Sequence, residues 1–224
     1  MRTTCHKLLL ILTAVLFFDK PISAQETESE DAYGFWAGTM VTKSLGAEKK
    51  WNVGVLAQYH YISHEGVSKM DQVFARPSVS YSVLPWLRLH YDTDLVGTQK
   101  GFNMRFLPGV SVAKKVSDIS LSLRHQFYYI WYPSSGTTAH LFTTKASAAY
   151  SIPETPLSLS VAMEPLYNDR LIRNRIFAGV QIRLSDNLTL CPQYLRKAYH
   201  NRLGKYDRRT YDDHLFYMLL LVRL

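Results

Sequence analysis

The 224-residue chain holds only two cysteines, Cys5 and Cys191, and they lie at opposite ends of it. It also lacks long hydrophobic runs. The longest, Leu8–Phe18, has 11 residues, whereas a membrane-spanning helix needs about 20. The next longest, Met218–Val222, is strand-sized. There is no glycine-rich phosphate loop, and no His, Cys, Asp or Glu spacing resembles a closed metal-ligand set. His60, His64 and Asp71 flank one loop, and His214 follows Asp212 and Asp213, but loop groups of this kind are ordinarily solvated. These absences exclude a helical membrane protein and give no sign of a cofactor or metal.

What is present begins with an export signal. Arg2, His6 and Lys7 form a basic start, Leu8–Phe18 an apolar centre, and Ile22-Ser23-Ala24 a small-residue exit. This is the pattern of a secretory leader cleaved after Ala24. Cys5 precedes the apolar run, so it is not a lipid-bearing cysteine. Cys191 alone remains after cleavage and cannot close an intrachain disulfide, a staple that small exported domains often use. The full chain carries a net charge of +8. The leader holds Arg2, Lys7 and Lys20 against Asp19, which leaves +6. A basic surface suits nucleic acid, anionic lipid headgroups or an anionic solute, and export removes nucleic acid. The acidic tract 25–33 reads as a flexible start, and 34–224 as one domain.

Within that domain the side chains alternate. Leu157, Leu159, Val161 and Met163 share one parity, with Ser158, Ser160, Ala162 and Glu164 between them. Ile172, Ile176, Ala178, Val180 and Ile182 likewise alternate with Arg173, Arg175, Phe177, Gly179, Gln181 and Arg183. Successive residues of a strand face opposite sides of its sheet. Each segment therefore has one apolar face and one polar, arginine-bearing face, as a strand between lipid and a wet lumen would. The same reading predicts strands near 34–45, 51–63, 71–83, 86–96, 103–113, 119–132, 141–150, 187–195 and 214–224. Short turns near residues 46, 85, 115, 153 and 186 alternate with longer loops at 64–69, 97–101, 133–138, 167–171 and 196–213, the layout of an outer-membrane barrel. The 15 tyrosines and 4 tryptophans, among them Trp36, Trp51, Tyr59, Trp86, Trp131, Tyr150 and Tyr194, cluster near segment ends, where interfacial girdles belong.

The expected fold is thus all-β: an antiparallel up-and-down transmembrane β-barrel of about ten to twelve strands, with twelve preferred because such barrels have even strand numbers. About eleven segments are visible. Pro77, Pro108, Pro165 and Pro192 fall inside predicted strands, which calls for bulges or shifted boundaries.

The ionisable residues on the inward parity are Arg76, Arg88, His90, Asp92, Asp94, Arg105, Arg124, Lys145, Glu164, Arg173, Arg175 and Arg183. Positive charges outnumber negative ones, so the wall would concentrate anions and disfavour cations. Side chains also fill small barrels, and pairs such as Glu164–Arg175 or Asp92–Arg88 would then be struts. A barrel hydrolase needs a serine, a histidine and an orienting partner within reach. His125, on the outward parity between Arg124 and Gln126, lacks an accompanying His-x-Ser or Ser-Asn pair.

The tract Glu164-Pro165-Leu166-Tyr167, then Asn174-Arg175, then Gly179, with Trp36 and Arg76, resembles the pattern of uncharacterised Gram-negative outer-membrane barrels grouped as a domain of unknown function. It is also similar to the oligogalacturonate-specific porins, narrow twelve-stranded barrels with arginine-lined lumens. The resemblance extends loosely over residues 33–224. One departure is the last residue, Leu224, where such barrels end in an aromatic. The resemblance implies the barrel class; the inward parity and its charge excess then point to a monomeric outer-membrane channel for small anionic solutes, with Arg76, Arg88, Arg105, Arg124, Lys145, Glu164, Arg173, Arg175 and Arg183 lining its lumen and lipid or lipopolysaccharide around it. The alternatives are a closed structural or adhesion barrel that uses the basic loop 196–213, and an outer-membrane lipid hydrolase.

Overall fold

The computed structural model describes residues 32–64, 67–99, 101–168, 171–199 and 212–224. The leader 1–24 and the acidic tract up to residue 31 lie outside them. The described residues form eleven strands: β1 (Ala32–Leu45), β2 (Trp51–His64), β3 (Val67–Leu84), β4 (Leu87–Thr98), β5 (Gly101–Val116), β6 (Ile119–Tyr132), β7 (Thr137–Ser151), β8 (Leu157–Tyr167), β9 (Leu171–Arg183), β10 (Leu188–Tyr199) and β11 (Asp212–Arg223). Each pairs with its sequence neighbour, and β1 closes the barrel against β11.

Two expectations change here. The preferred count of twelve gives way to eleven among the described residues, and an odd count forces one seam to be parallel. Ala32 to Thr42 run alongside Asp213 to Arg223 in the same direction. Ala32 therefore stands at the rim where β2 ends and β3 begins, here called the far rim. The opposite, near rim carries Leu45 and Leu224. The acidic start was expected to reach residue 33, but Ala32 and Tyr33 already belong to β1.

The loops also contract. Two to five residues separate successive strands elsewhere, so the expected alternation of short and long connections is lost there; the expected loop 196–213 lies largely outside the described residues, at 200–211. Polar residues at the strand ends read as loop in the sequence. A ladder needs only backbone groups, so pairing continues past the apolar face, as at Lys197↔Asp213 and Ala198↔Asp212.

The prolines leave the register intact. Pro77, Pro108, Pro165 and Pro192 each pair on one side, opposite Val55, Tyr91, Asn174 and Met218. On the other side the ladder skips, from Ala75↔Leu95 to Ser78↔Asp92, from Phe106↔Tyr129 to Gly109↔Gln126, from Met163↔Ala146 to Leu166↔Thr143, and from Leu190↔Ile182 to Gln193↔Gly179. Proline has no N–H to give, so each strand opens a rung without slipping. The shifts that do occur lie elsewhere, at His60/Tyr61, Ser82/Leu84 and Leu166/Tyr167.

Alternation sorts the side chains as expected. Val55, Tyr59, Leu89, Tyr91, Leu123, Tyr129, Tyr194 and Phe216 are exposed on the outside. The buried residues are mostly inside and towards the far rim, in two apolar clusters. One joins Trp36, Phe177, Leu195, Leu215 and Tyr217; the other joins Leu107, Tyr128 and Ile130. Trp36, expected in an interfacial girdle, is only 6% exposed and lies within the first cluster. Tyr150, also expected in a girdle, keeps the outward parity of Ala146 and Ala148, although it is largely covered there. Towards the near rim the inward positions hold small hydroxyl residues instead, among them Ser78, Ser80, Ser111, Ser122, Ser147 and Ser160.

Candidate functional site

Between the two clusters lies a cavity of about 440 Å³ inside the barrel. Its wall carries Arg76, Arg105, Arg124, Lys145, Arg173 and Arg175, and only Asp92, Asp94 and Glu164 as carboxylates. Six cations face three anions.

The first charged group spans β3 to β6. Arg76 Nε donates to Asp94 Oδ1 at 2.5 Å and Arg76 Nη2 to Asp94 Oδ2 at 3.0 Å, a two-pronged contact with a carboxylate that is 1% exposed. The pair lies where Pro77 opens the rung, with Ala75↔Leu95 and Ser78↔Asp92 on either side. Arg105 Nη1 stands 4.0 Å from the same carboxylate, and its Nε donates to Asn103 Oδ1 at 3.0 Å. Asp92 accepts from Gln126 Nε2 at 2.9 Å. One carboxylate thus serves two arginines, and the other is held by an amide.

The second group spans β7 to β9. Glu164 and Arg175 are direct cross-strand partners, and Arg175 Nη1 donates to Glu164 Oε2 at 3.3 Å. Lys145 Nζ lies 4.2 Å from the centre of the Phe177 ring, a cation–π contact that leaves its N–H groups uncommitted. The Arg173 guanidinium lies 5.5 Å from the Tyr199 ring. The Nε atoms of Arg173 and Arg175 are buried and have no hydrogen-bond partner. Buried donors of that kind are uncommon in native structures.

A third, neutral group supports the wall at β1, β2, β3 and β11. His60 stacks on Trp36 with ring centres 3.6 Å apart and meets Phe74 edge-on. Gln72 Nε2 donates to His60 Nδ1 at 2.6 Å, His60 Nε2 donates to Gln58 Oε1 at 3.0 Å, and Gln58 Nε2 donates to the Tyr217 hydroxyl. These roles follow from the network, which accommodates a neutral imidazole with its proton on Nε2. Lys197 Nζ sits 4.4 Å from the Trp36 ring centre and donates to Asp213 Oδ2 at 3.1 Å, with the Tyr199 hydroxyl donating to the same oxygen at 3.0 Å.

Of the nine residues expected on the lumen wall, seven line this cavity: Arg76, Arg105, Arg124, Lys145, Glu164, Arg173 and Arg175. Arg88 and Arg183 do not; both are exposed at the near rim. Asp92 pairs with Gln126 rather than with Arg88, whose Nε donates to Ser82 Oγ at 3.3 Å. The sequence reading puts Lys197 and Asp213 in a loop and so does not disclose their pair. The alternation Gln193, Leu195, Lys197, Tyr199 carried the signal.

Two histidines bear on an enzymatic reading. His125 faces outward, pairs with Thr144 Oγ1 at 2.9 Å and stacks on Phe142. His90 faces inward and lies 2.6 Å from Ser111 Oγ. Neither pair is joined, among the described hydrogen bonds, to the acid or amide that would orient a catalytic histidine.

A model of the family described as "Protein of unknown function (DUF2490)" matches residues 33–207. Among solved structures, the chain is similar to the NanC porin, with a TM-score of 0.47 and 10% sequence identity over 84% of this chain and 98% of that one. Comparison with curated proteins gives no match.

Proposed function

Starting from the fact that this chain belongs to the DUF2490 family of proteins of unknown function, we propose that it is an outer-membrane β-barrel that passes small anionic solutes through its cation-rich interior. The observation that carries this reading is the cavity wall, with six cations against three carboxylates. Internal pairing can neutralise at most half of those cations. The remaining field raises the local concentration of anions and repels cations.

Placement in a membrane rests on the outer surface. Trp51 and Trp86 are exposed near one rim, and Tyr59, Tyr61, Phe102, Tyr129, Trp131 and Tyr194 towards the other. Between them stands an apolar band that includes Leu121, Leu123, Ala146, Ala148, Val161 and Met163. A band of that kind between aromatic girdles suits a bilayer. The leader-like N-terminus supports export to the outer membrane.

The packed far half favours a second reading, a barrel closed by its own side chains. Leu107 and Leu195 are 0% exposed and Leu215 is 1% exposed, and all three face the interior. Planar-bilayer recording separates the two. The channel reading expects conductance whose reversal potential in a salt gradient favours anions, and weaker selectivity when Arg105, Arg124 and Arg175 are changed to serine. Absence of conductance at any salt concentration would reject the channel and leave the closed barrel.

A further inference from the structure

Selectivity asks only for a positive wall, but this wall is uneven. Its charges near β3 and β4 are spent on each other, since Asp94 engages both Arg76 and Arg105. On β6, β7 and β9 the cations outnumber their partners, since Glu164 engages Arg175 alone. Among the described residues, Arg124 and Lys145 have no carboxylate within ion-pair distance. Arg173 and Arg175 each bury an Nε–H with nothing to donate to. Arg124, Lys145, Arg173 and Arg175 all line the one cavity. A buried donor left unmade is costly, and cations crowded on a half-buried wall with too few counter-charges add to that cost. A ligand that supplies anionic oxygens to this corner offsets both costs.

We infer that this corner, formed by Arg124, Lys145, Arg173 and Arg175, is a binding site for a small solute bearing two or more anionic oxygen groups, a polycarboxylate or a phosphate. The inference deepens the channel reading by giving it a saturable site. Charge count sets the valence. The wall keeps three cations beyond its three carboxylates, so a monoanion leaves most of the excess in place. Donor geometry sets the chemistry, because guanidinium N–H groups match the paired oxygens of carboxylate and phosphate, whereas a halide has none. Glu164 supplies anionic oxygens to this corner from the barrel itself. It is 5% exposed, touches Arg175 from β8, and among the described residues is the carboxylate within ion-pair distance of this corner.

The test is calorimetric titration of the folded barrel in detergent with tricarballylate, inorganic phosphate, acetate and chloride as probes. Saturable binding of tricarballylate or phosphate is expected, with acetate at least about tenfold weaker and chloride without heat, a ratio set by one charge-assisted contact. Tighter binding of tricarballylate than of phosphate assigns the site to polycarboxylates; the reverse order assigns it to phosphates. Lys145→Gln and Arg124→Gln should each weaken binding about tenfold. Arg88→Gln and Arg183→Gln, at the near rim, should leave it unchanged. Glu164→Gln should tighten binding, the opposite of what loss of a strut would do. The inference is overturned if acetate binds as well as tricarballylate and phosphate, or if Lys145→Gln and Arg124→Gln bind normally while retaining the heat-dependent gel shift of a folded barrel. The site and the channel fail separately. Anion-selective conductance without saturable binding removes the site alone, and saturable binding without conductance removes the channel alone.

Discussion

At the scale of single residues, the short pattern Glu164, Asn174-Arg175, Gly179 acquires a physical meaning. Glu164 and Arg175 face each other across β8 and β9. Gly179 sits one ladder further on, opposite Gln193. A Cβ there would stand 2.4 Å from the Pro192 carbonyl oxygen and 2.6 Å from Gln193 Cγ, closer than atoms pack. Backbone cannot retreat from such a contact without disturbing the β9–β10 ladder. Gly179→Ala should therefore destabilise the barrel by about 1–3 kcal/mol, the usual cost of overpacking, read as a lower urea midpoint for loss of the heat-dependent gel shift. Stability equal to the parent would show that β10 moves aside freely. The parity of the arginines was legible in the sequence because alternation survives any uncertainty about strand ends. Which arginines meet the cavity was not. Arg88 and Arg183 share the parity of Arg105 and Arg175, and differ only in depth along the barrel, which depends on the register of every intervening pair.

At the scale of the strand, the prolines show why a rule about edges was too narrow. Each opens one rung and keeps register, and two of the open rungs hold charge. Arg76 meets Asp94 beside Pro77, and Glu164 precedes Pro165. The carbonyl left at Pro165 is not wasted, because Thr143 Oγ1 donates to it at 3.0 Å from the facing strand. Thr143 is 1% exposed, so water is poorly placed to replace it. Thr143→Val keeps the shape and deletes the donor; a loss of about 1–3 kcal/mol is expected in the same unfolding assay, the cost of a buried acceptor left unmet. Thr143→Ser should retain most of the stability. Equal loss in both variants would assign the effect to packing and not to the hydrogen bond. The sequence disclosed the strands and their faces here. It did not disclose that a side chain on β7 would complete the backbone of β8, since that partnership exists only once the strands are in register.

At the scale of the whole molecule, the open question raised by the sequence was parity, and the answer lies in the seam. Even strand numbers follow from antiparallel closure with both chain ends at one rim. The eleven strands of the described residues close by letting β1 and β11 run in parallel. The seam is long, from Ala32↔Asp213 to Thr42↔Arg223. It is reinforced outside by Phe35 and Phe216, stacked 5.8 Å apart, and inside by Trp36 packed edge-on against Tyr217 at 5.9 Å. At its near end Leu224 N–H donates to the Thr42 carbonyl at 2.8 Å. A twelfth strand between β1 and β11 would displace all of these contacts and roughly double the spacing of the two strands, from about 4.8 Å to about 10 Å. Disulfides bridge Cα atoms only up to about 7 Å apart. Thr39 and Leu220 are register partners on the outer face. In a Cys191→Ser background, Thr39→Cys with Leu220→Cys should form an intrachain disulfide under mild oxidant, visible as a mobility change reversed by reductant. Thr39→Cys with Val222→Cys, two residues out of register, should form it far less. A barrel that folds, retains its heat-dependent shift and forms neither disulfide has another strand in the seam, and the eleven-stranded closure would then be wrong.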